Sequence, residues 1–365
     1  MFLIVTRSFP PEVGGMQILM KGLSESLVEH GPVKVFANEF PDSHKYDKNS
    51  PLDVERIKGI KLFRKYRKAN IVNDFISNHS NIRAIFVDHW KSLELLNSNI
   101  LKKTKTFCLL HSKEINHEIN SSTNKRLIKS TNKANFIIAN SNFTKDLAVR
   151  VGIDKSKMHI IFPGIPKPKK IDALSLDEAK KIFADSFPKI ITVSRLEKRK
   201  GHDKILMLIK NLKVKYPKIK YISIGFGEEE KKLQALSKEL FIENEVLFLK
   251  NINENFKLAL IAESDLFLMP SRKEKKSVEG FGIAFMEAAS YGTPSIGGSY
   301  GGASDAISHN KTGLICNGDE LSSIHDAVNN ILDDKKFKIF GDSAKKFSES
   351  FYWNKIVKKY LNLIN

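Results

Sequence analysis

Cysteine is scarce in this 365-residue sequence, which contains only Cys108 and Cys316. The two residues lie far apart in the chain, and neither belongs to a spacing that is typical of a metal site. A disulfide scaffold and a zinc module are therefore excluded by count. Both cysteines lie in short apolar runs, so we predict that they are ordinary strand residues.

Long apolar runs are also lacking. No stretch approaches the roughly 18 apolar residues that a membrane-spanning helix requires. The segment from Met1 to Arg7 has only a short apolar run, without the basic region and the longer apolar core of a secretory signal. We therefore expect a cytoplasmic protein, and any contact with a membrane would be peripheral.

Acidic residues are too few to balance the basic ones. The 60 Lys and Arg residues outnumber the 41 Asp and Glu residues, which gives a formal net charge of +19. This excess favours an anionic partner, such as a nucleic acid, a phosphate group or a membrane surface. However, Lys predominates over Arg, and no aromatic residues are interleaved with Arg as in nucleic-acid-binding proteins. We therefore expect no nucleic-acid partner.

Apolar residues make up 41% of the chain, which is enough for two buried cores at this length. Short apolar runs, seven in the first half and six in the second, alternate with helix-like segments. This alternation predicts an α/β protein with parallel sheets that carry helices on both faces. One of the runs, Ile60–Phe63, is predicted as a strand that precedes a helix near Tyr66–Asn78.

A proline-rich segment separates the two α/β halves. It spans residues 163–170, and its three prolines can neither continue a helix nor lie inside a central strand. We therefore predict a first domain at residues 1–165 and a second domain at residues 166–345. Residues 346–365 would end in an amphipathic helix, near Trp353–Ile364, that packs back on the first domain.

Three features of the first half directly follow predicted strands. Gly14 and Gly15 open the first helix, where backbone N–H groups could approach an anion, although a plain turn is the alternative. His111 ends a strand and would point into a cleft, or it is merely structural. Ser141 and Thr144 form the third feature, and a simple N-cap by Ser141 is its alternative interpretation.

Two cations, Arg195 and Lys200, follow the first strand of the second half. They lie at the carboxyl end of that strand, where open α/β sheets bind their ligands. Cations at this place suit a diphosphate, because they would stabilise the charge of the leaving group. The alternative is a solvated basic loop.

Two carboxylates, Glu279 and Glu287, enclose a Gly-Phe-Gly segment near the start of a later helix. Eight positions correspond to about two helical turns, so both side chains could face one cleft. The amides of Phe281, Gly282 and Ile283 would cradle a phosphate, and the carboxylates would accept hydrogen bonds from sugar hydroxyls. An acid–base pair or two surface glutamates are the alternatives.

In their joint order, these motifs resemble those of the retaining nucleotide-sugar glycosyltransferases of family 4, which have the GT-B fold. The matching pieces are Gly14-Gly15, His111 to Glu114, Ser141 with Thr144, Ser194-Arg195-Leu196 with Lys200-Gly201, and the Glu-x7-Glu signature from Glu279 to Glu287. The later segments around Gly301-Gly302 and Thr312-Gly313 are most similar to the mannosyltransferase-like branch.

The resemblance implies two Rossmann-like parallel-sheet domains that face a cleft, with a final helix that crosses back to the first domain. It implies that a hexose moves from a nucleotide-diphosphate sugar, GDP-mannose or a UDP-hexose, to a glycan or lipid-linked acceptor of envelope or polysaccharide synthesis. The family keeps the anomeric configuration and needs no bound metal or other cofactor. The lack of an Asp-x-Asp motif in this sequence agrees with that expectation.

The resemblance also implies roles for the matching residues of the second half. Arg195 and Lys200 would bind the donor diphosphate, and Glu287 would accept hydrogen bonds from the ribose hydroxyls. Glu279 would hold the transferred sugar. It would do so together with the amides of Phe281, Gly282 and Ile283.

In the first half, the resemblance implies that Gly14 and Gly15 let the backbone approach the donor phosphates. His111 would lie beside the sugar ring and help to stabilise positive charge at the anomeric carbon. Ser141 and Thr144 would lie on the acceptor side.

The sequence departs from the family pattern at Ser112, where a glycine is usual, and in the very basic segment Lys273–Lys276. These departures leave the acceptor and the nucleotide base open. A sugar-nucleotide epimerase, a disaccharide synthase and a non-catalytic GT-B scaffold remain alternatives. Seven basic residues within thirteen positions, 56–68, favour docking of the first domain on the anionic inner face of a membrane, with a solvated surface as the alternative.

Overall fold

A computed structural model describes residues 1–365 of the chain, except for the side chain of Asp334. The strands are β1 (Phe2–Val5), β2 (Val33–Asn38), β3 (Asp53–Ile57), β4 (Ala84–Val87), β5 (Lys105–Leu110), β6 (Phe136–Ala139), β7 (Met158–Ile160), β8 (Lys189–Val193), β9 (Lys220–Ile224), β10 (Val246–Leu249), β11 (Leu266–Met269), β12 (Ser295–Gly298) and β13 (Gly313–Cys316). The α-helices are α1 (Gly15–Val28), α2 (Ser43–Lys48), α3 (Lys61–Asn78), α4 (Trp90–Leu93), α5 (Ser98–Leu101), α6 (Ser112–Ile115), α7 (Ser122–Thr131), α8 (Asn142–Arg150), α9 (Ala173–Phe183), α10 (His202–Lys215), α11 (Glu230–Glu239), α12 (Glu254–Ala262), α13 (Ile283–Ser290), α14 (Ala303–Ala306), α15 (Leu321–Leu332), α16 (Lys336–Ser348) and α17 (Trp353–Ile364).

The chain divides into two compact units. Unit 1 comprises residues 1–166 and 351–365, and unit 2 comprises residues 167–350. The boundary in the proline-rich segment lies one residue from the predicted position. The second boundary lies at 350 rather than 345, because helix α16 packs against α13 within unit 2 and continues to Ser348.

Each unit is built on one parallel sheet. The strand order is β3-β2-β1-β4-β5-β6-β7 in unit 1 and β10-β9-β8-β11-β12-β13 in unit 2. The central strands β1, β4 and β11 are buried along their whole length, as expected for strands that helices cover on both faces. The structure therefore confirms the predicted α/β class with two parallel sheets. The strand order reverses between β1 and β4 in unit 1, and between β8 and β11 in unit 2.

The final helix α17 packs in unit 1. Its Tyr360 ring meets the rings of Phe86 and Phe107, with ring centres 5.7 Å and 6.1 Å apart. Its Trp353 indole lies so close to Gly22 of α1 that a Cβ at that glycine would overlap the ring. A glycine in the middle of α1 thus lets the two helices approach closely.

The predicted strand at Ile60–Phe63 is wrong. The strand of this region is β3, at Asp53–Ile57, and helix α3 already begins at Lys61. Strand β3 lies at the edge of the sheet and contains charged residues, so it carries no apolar run that the sequence pattern could reveal. The apolar side chains of Ile60, Leu62 and Phe63 are instead exposed.

Among the residues that the structure describes, none of the helices combines the length and the hydrophobicity that crossing a bilayer requires. Both cysteines are buried in strands, Cys108 in β5 and Cys316 in β13, as the sequence predicts.

Candidate functional site

The candidate site of unit 2 lies where the strand order of its sheet reverses. One loop, residues 194–201, follows β8, and a second loop, residues 270–282, connects β11 to helix α13. Strands β8 and β11 are hydrogen-bonded neighbours, so the two loops leave the same edge of the sheet side by side. Ligands of open parallel sheets bind at such a reversal point.

A buried chain of hydrogen bonds fixes the start of the loop after β8. The Tyr221 hydroxyl donates to Thr192 Oγ1 at 3.1 Å and lies 3.0 Å from His202 Nδ1, which therefore donates to it. The other ring nitrogen of His202, Nε2, then accepts from the Ser194 hydroxyl at 3.0 Å. Burial, assisted by nearby Lys200, lowers the pKa of His202 to about 4, so this histidine is neutral near pH 7.

Two glycines that the sequence reasoning missed pack against the same loop. A Cβ on Gly225 would overlap the carbonyl oxygen of Ser194, and a Cβ on Gly227 would overlap that of Leu196. Only glycines allow the segment after β9 to pass so close to the loop that carries Arg195. The Gly-Phe-Gly sequence directly after an apolar strand was the available signal.

An ion cluster joins the two loops. The Oε2 atom of Glu279 accepts hydrogen bonds from Lys200 Nζ and from an Arg199 terminal nitrogen, the latter at 3.0 Å. Arg199 Nε donates to Glu197 Oε2 at 2.8 Å, and a terminal nitrogen of Arg195 lies 3.0 Å from Glu197 Oε1. The five side chains alternate in charge, and three cations with two carboxylates leave one net positive charge.

Burial and charge act in opposite directions on Glu279. Burial alone would raise the pKa of this carboxyl, but Lys200 and Arg199 outweigh it and hold the pKa at about 2. Glu279 is therefore ionised at physiological pH although it is buried. By contrast, the Arg195 side chain is 56% exposed, so it is the cation of the cluster that solvent and solutes reach most easily.

The start of helix α13 stands beside the ion cluster. Gly282 precedes the helix with a φ of +90°, a conformation that favours glycine, and Phe281 is buried. The first N–H groups of a helix have no partner within the helix, so the N–H of Ile283 needs an acceptor outside α13. The backbone N–H of Gly302 donates to the carbonyl of Glu279 at 2.9 Å and holds the loop in place.

Glu287 belongs to helix α13 but not to the ion cluster. Its Oε1 atom accepts from Lys257 Nζ of α12 at 2.8 Å, and Lys257 also lies 3.0 Å from Glu254. The structure thus brings Arg195, Lys200 and Glu279 into one network and gives Glu287 a separate cationic partner. About a quarter of the Glu287 side chain is exposed, so it stays accessible.

The sequence reasoning missed Glu197 and Arg199, which complete the cluster. It also gave no role to Arg272, which is buried, donates its backbone N–H to the Arg199 carbonyl at 2.8 Å and binds Asp203 at 2.8 Å. Arg272 therefore helps to fix the backbone of the loop that carries the cluster.

In unit 1, the polar centre lies after β1 and β4, again where the strand order reverses. The buried Asp88 carboxylate accepts from Thr6 Oγ1 at 2.9 Å, the Arg7 N–H at 2.7 Å and Ser92 Oγ at 2.7 Å. Lys68 donates to the Thr6 carbonyl at 2.8 Å, and burial lowers the pKa of Lys68 to about 8. This network fixes the segment that leads from β1 towards Gly14.

His111 directly follows β5 and caps the short helix α6. Its Nε2–H donates to the Asp88 carbonyl at 3.1 Å, and its backbone N–H donates to Glu114 Oε1 at 3.1 Å. The other oxygen of Glu114 lies 2.6 Å from His89 Nε2. The backbone carbonyl of Asp88 and the carboxylate of Glu114, which His89 also contacts, therefore fix the position of His111.

Ser141 and Thr144 are fully buried, and their hydroxyls are bound to each other. Ser141 Oγ donates to Thr144 Oγ1 at 2.9 Å, accepts from the Thr144 N–H at 3.0 Å and caps helix α8. Thr144 Oγ1 also lies 2.7 Å from the hydroxyl of Ser112, the residue that follows His111. Both hydroxyls are thus bound within the protein, where they hold α8 against α6, and the acceptor-side assignment of the two residues stays a prediction.

The two glycines at the start of α1 differ from each other. Gly14 caps the helix, and a Cβ there would press on the flexible Gln17 side chain. A Cβ on Gly15 would meet no heavy atom of the described residues within 4 Å. Space is therefore available beside Gly15. Within the described part of the chain, no group of three His, Cys, Asp or Glu side chains is placed to hold a metal ion.

Family models match both units of the chain. The model described as glycosyl transferases group 1 matches residues 176–350, and the model described as glycosyltransferase family 4 matches residues 13–167. The chain belongs to the family 4 glycosyltransferases. The gap between the two matches, residues 168–175, begins in the proline-rich segment that joins unit 1 to unit 2.

Similar proteins extend this finding over nearly the whole chain. The GDP-mannose-dependent alpha-(1-6)-phosphatidylinositol monomannoside mannosyltransferase of Mycolicibacterium smegmatis is 25% identical over 347 residues, 92% of this chain and 90% of that protein. The GDP-mannose-dependent monoacylated alpha-(1-6)-phosphatidylinositol monomannoside mannosyltransferase of Corynebacterium glutamicum is 24% identical over 348 residues, 91% of this chain and 88% of that protein. The crystal structure of Anabaena HepE in complex with UDP aligns with a TM-score of 0.82 at 18% identity, covering 100% and 99% of the two chains. The predicted GT-B fold is thereby confirmed.

Proposed function

We propose that the protein is a retaining glycosyltransferase that moves a hexose from a nucleoside-diphosphate sugar to a glycan or lipid-linked acceptor in envelope or polysaccharide synthesis. The observation that carries this proposal is the ion cluster at the reversal point of the unit 2 sheet. It combines an exposed arginine, a buried lysine and an ionised buried glutamate beside a helix N-terminus. Cations and amides suit a diphosphate, whereas the carboxylate suits sugar hydroxyls.

In the proposed reaction, the acceptor hydroxyl attacks the anomeric carbon from the face that the nucleoside diphosphate leaves. The new bond joins the acceptor oxygen to that carbon, and the bond from the carbon to the phosphate oxygen breaks. The departing phosphate oxygen takes the acceptor proton, so neither an enzyme base nor a bound metal is required. Arg195, Lys200 and the α13 amides stabilise the charge that develops on the leaving group.

We assign the remaining residues to substrate contacts. Glu279 accepts hydrogen bonds from the transferred sugar, and Glu287 from the ribose of the nucleotide. Gly15 lets the α1 backbone approach the donor phosphates, and His111 lies beside the sugar ring. The defined position of His111, fixed by Asp88 and Glu114, supports a role that requires an exact orientation.

The nucleotide base is the first property to measure. The mannosyltransferase relatives are named as GDP-mannose-dependent, whereas HepE was crystallised with UDP. GDP-, UDP- and ADP-sugars should therefore be screened for thermal stabilisation, because a donor that binds the native state raises the melting temperature. We expect one nucleotide class to raise it, with GDP-mannose as the first candidate. No shift with any nucleotide or nucleotide sugar would contradict the proposed function.

Gly15→Ala separates a ligand-contact role from a structural one. Because a Cβ at Gly15 meets open space, we expect an unchanged melting temperature but a loss of turnover of about 10-fold or more, measured with the donor found in the screen. Gly22→Ala, seven residues along the same helix, is the matched opposite. Its Cβ would overlap Trp353, so it should lower the unfolding free energy by about 1–3 kcal/mol. Full activity in Gly15→Ala would remove the phosphate-approach assignment.

We further propose that unit 1 docks peripherally on the anionic inner face of a membrane, through the start of helix α3. Ile60, Leu62, Phe63 and Tyr66 are each at least half exposed there. Exposed cations surround them at Lys58, Lys61, Lys65 and Arg67. Two of the seven basic residues in this stretch do not contribute, because Arg56 and Lys68 are buried. Apolar side chains among cations suit an anionic lipid surface.

Docking is tested by flotation with vesicles that contain anionic lipid. Leu62→Ser combined with Phe63→Ser should lose most vesicle binding, and Lys61→Gln combined with Lys65→Gln should weaken it, since each cation near the surface contributes about 1 kcal/mol. Ile339→Ser, which alters an equally exposed apolar residue on α16, is the control and should bind as wild type. If the wild-type protein shows no salt-sensitive binding to the vesicles, the docking proposal is contradicted and a soluble acceptor is favoured.

A further inference from the structure

We propose that Arg199, anchored by Glu197, is a positioning residue that holds Glu279 in place for the transferred sugar while Lys200 serves the diphosphate. This inference rests on the proposed function of the same site. It concerns two side chains, Glu197 and Arg199, to which neither the sequence pattern nor the family resemblance gave a role.

The geometry of Arg199 fits a clamp between two carboxylates. Its guanidinium uses Nε for Glu197 at 2.8 Å and a terminal nitrogen for Glu279 at 3.0 Å, so two different edges are occupied. The side chain is only 11% exposed, and its backbone carbonyl is bound by the Arg272 N–H. A planar guanidinium can bridge two acceptors in this way, whereas the single nitrogen of a lysine cannot fix the same two directions.

The clamp matters because Lys200 has two anionic partners to satisfy. It binds Glu279, and the proposed function requires it also to face the diphosphate of the donor. If Lys200 were the only partner of Glu279, no group would fix the direction of this carboxylate once the lysine also faces the diphosphate. Arg199 stays on the carboxylate because Glu197 restrains its other edge.

Both cations bind the same oxygen of Glu279, Oε2. We therefore assign the second oxygen, Oε1, to a hydroxyl of the transferred sugar. On this assignment, Arg199 acts through Glu279 and touches neither the sugar nor the phosphates. Glu197 has a further effect, because it also binds the exposed Arg195 and thus orients the diphosphate side of the site.

The test compares Arg199→Gln, Arg199→Lys and Glu197→Gln with the wild-type protein. The readouts are kcat, the affinity for the nucleoside diphosphate alone, the affinity for the nucleotide sugar, and the pH dependence of kcat. We expect both Arg199 variants to lose about 10-fold or more in kcat. The ratio of the affinity for the nucleotide sugar to the affinity for the nucleoside diphosphate alone should fall by about the same factor. The affinity for the nucleoside diphosphate should change by less than about 3-fold.

The pH profile provides a readout that a merely structural role would not move. The charged groups that face Glu279 are Lys200 and Arg199, with Glu197 behind Arg199. Without the guanidinium, burial acts more strongly on the carboxyl and raises its pKa, so activity in Arg199→Gln should fall at a higher pH on acidification than in wild type. Arg199→Lys keeps the charge and should restore the pH profile but not the kcat.

Lys198→Gln is the matched control, because it removes one charge from the same loop while Lys198 lies near Glu274 rather than Glu279. It should retain the kcat and the pH profile of wild type. A wild-type kcat and pH profile in Arg199→Gln would overturn the inference. An equal loss of affinity for the nucleoside diphosphate and for the nucleotide sugar would also overturn it, since Arg199 would then be one more phosphate-binding cation.

Glu197→Gln keeps the inference testable if an Arg199 variant fails to fold. It should lower kcat in the same direction, because Arg199 loses its anchor and Arg195 loses its orientation, and a wild-type kcat would contradict the anchoring role. Failure of the proposed function gives a different result, in which the wild-type protein itself binds no nucleotide sugar.

Discussion

Arg195→Ala and Lys200→Ala are each expected to lower turnover by about 10²-fold or more. A well-placed cation or donor at a developing negative charge is typically worth roughly 3–4 kcal/mol, and the leaving diphosphate gains its charge beside these two residues. Steady-state kinetics with the donor found in the screen measures the effect. Lys198→Gln, in the same loop, is the control for a general loss of positive charge.

The two variants should differ in how they lose activity. Arg195 is exposed and pairs only with Glu197 among the described side chains, so its removal should weaken donor binding and turnover together with little effect on stability. Lys200 is buried against Glu279, and its removal leaves the carboxylate to Arg199 alone. Near-wild-type turnover in both variants would remove the diphosphate assignment.

Glu279→Gln is expected to lower turnover by about 10²-fold or more while leaving the affinity for the nucleoside diphosphate unchanged or higher. The amide is a poorer acceptor for a sugar hydroxyl, and the change frees Lys200 from its carboxylate partner, so that the lysine binds phosphate more readily. Kinetics and calorimetric titration of the nucleoside diphosphate measure the two effects.

The same variant should be less stable without a ligand. Lys200 and Arg199 lose the charge that compensates their burial, and removal of one partner from a buried ion pair typically costs about 3–5 kcal/mol of unfolding free energy. Glu287→Gln is the comparison within α13, and it should raise the KM for the donor with a smaller effect on kcat, because ribose contacts are made in both ground and transition states. Weaker nucleoside-diphosphate binding in Glu279→Gln would contradict the assignment of Glu279 to the sugar.

The sequence was informative where apolar periodicity and strand ends decide the structure. Alternating runs predicted two parallel sheets, and the rule that ligands bind at the carboxyl ends of strands singled out Arg195 and Lys200. The Gly-Phe-Gly segment at the start of a helix singled out Glu279. These residues meet because β8 and β11 are neighbours in the sheet. The edge strand β3 was missed because it is charged and carries no apolar run.

The inward orientation of Arg199 could not be predicted from the sequence. Arg199 lies in a run of basic residues, and such runs are usually solvated. Only the tight turn at Lys198–Lys200 and the left-handed Gly201, with a φ of +79°, decide that Arg199 and Lys200 point inward while Lys198 stays exposed. The burial of Arg56 and Lys68 could not be predicted for the same reason. A count of charges does not reveal which cations form hydrogen bonds within the protein.

The measurement that tests the central claim most directly is the product of the reaction. The protein should be incubated with the donor from the screen and an envelope lipid or glycan extract, and both the released nucleoside diphosphate and the anomeric configuration of the product should be determined. We predict one glycosylated acceptor for each nucleoside diphosphate released, with the donor's anomeric configuration retained. Conversion of the donor to an epimeric sugar nucleotide, or an inverted product, would contradict the account.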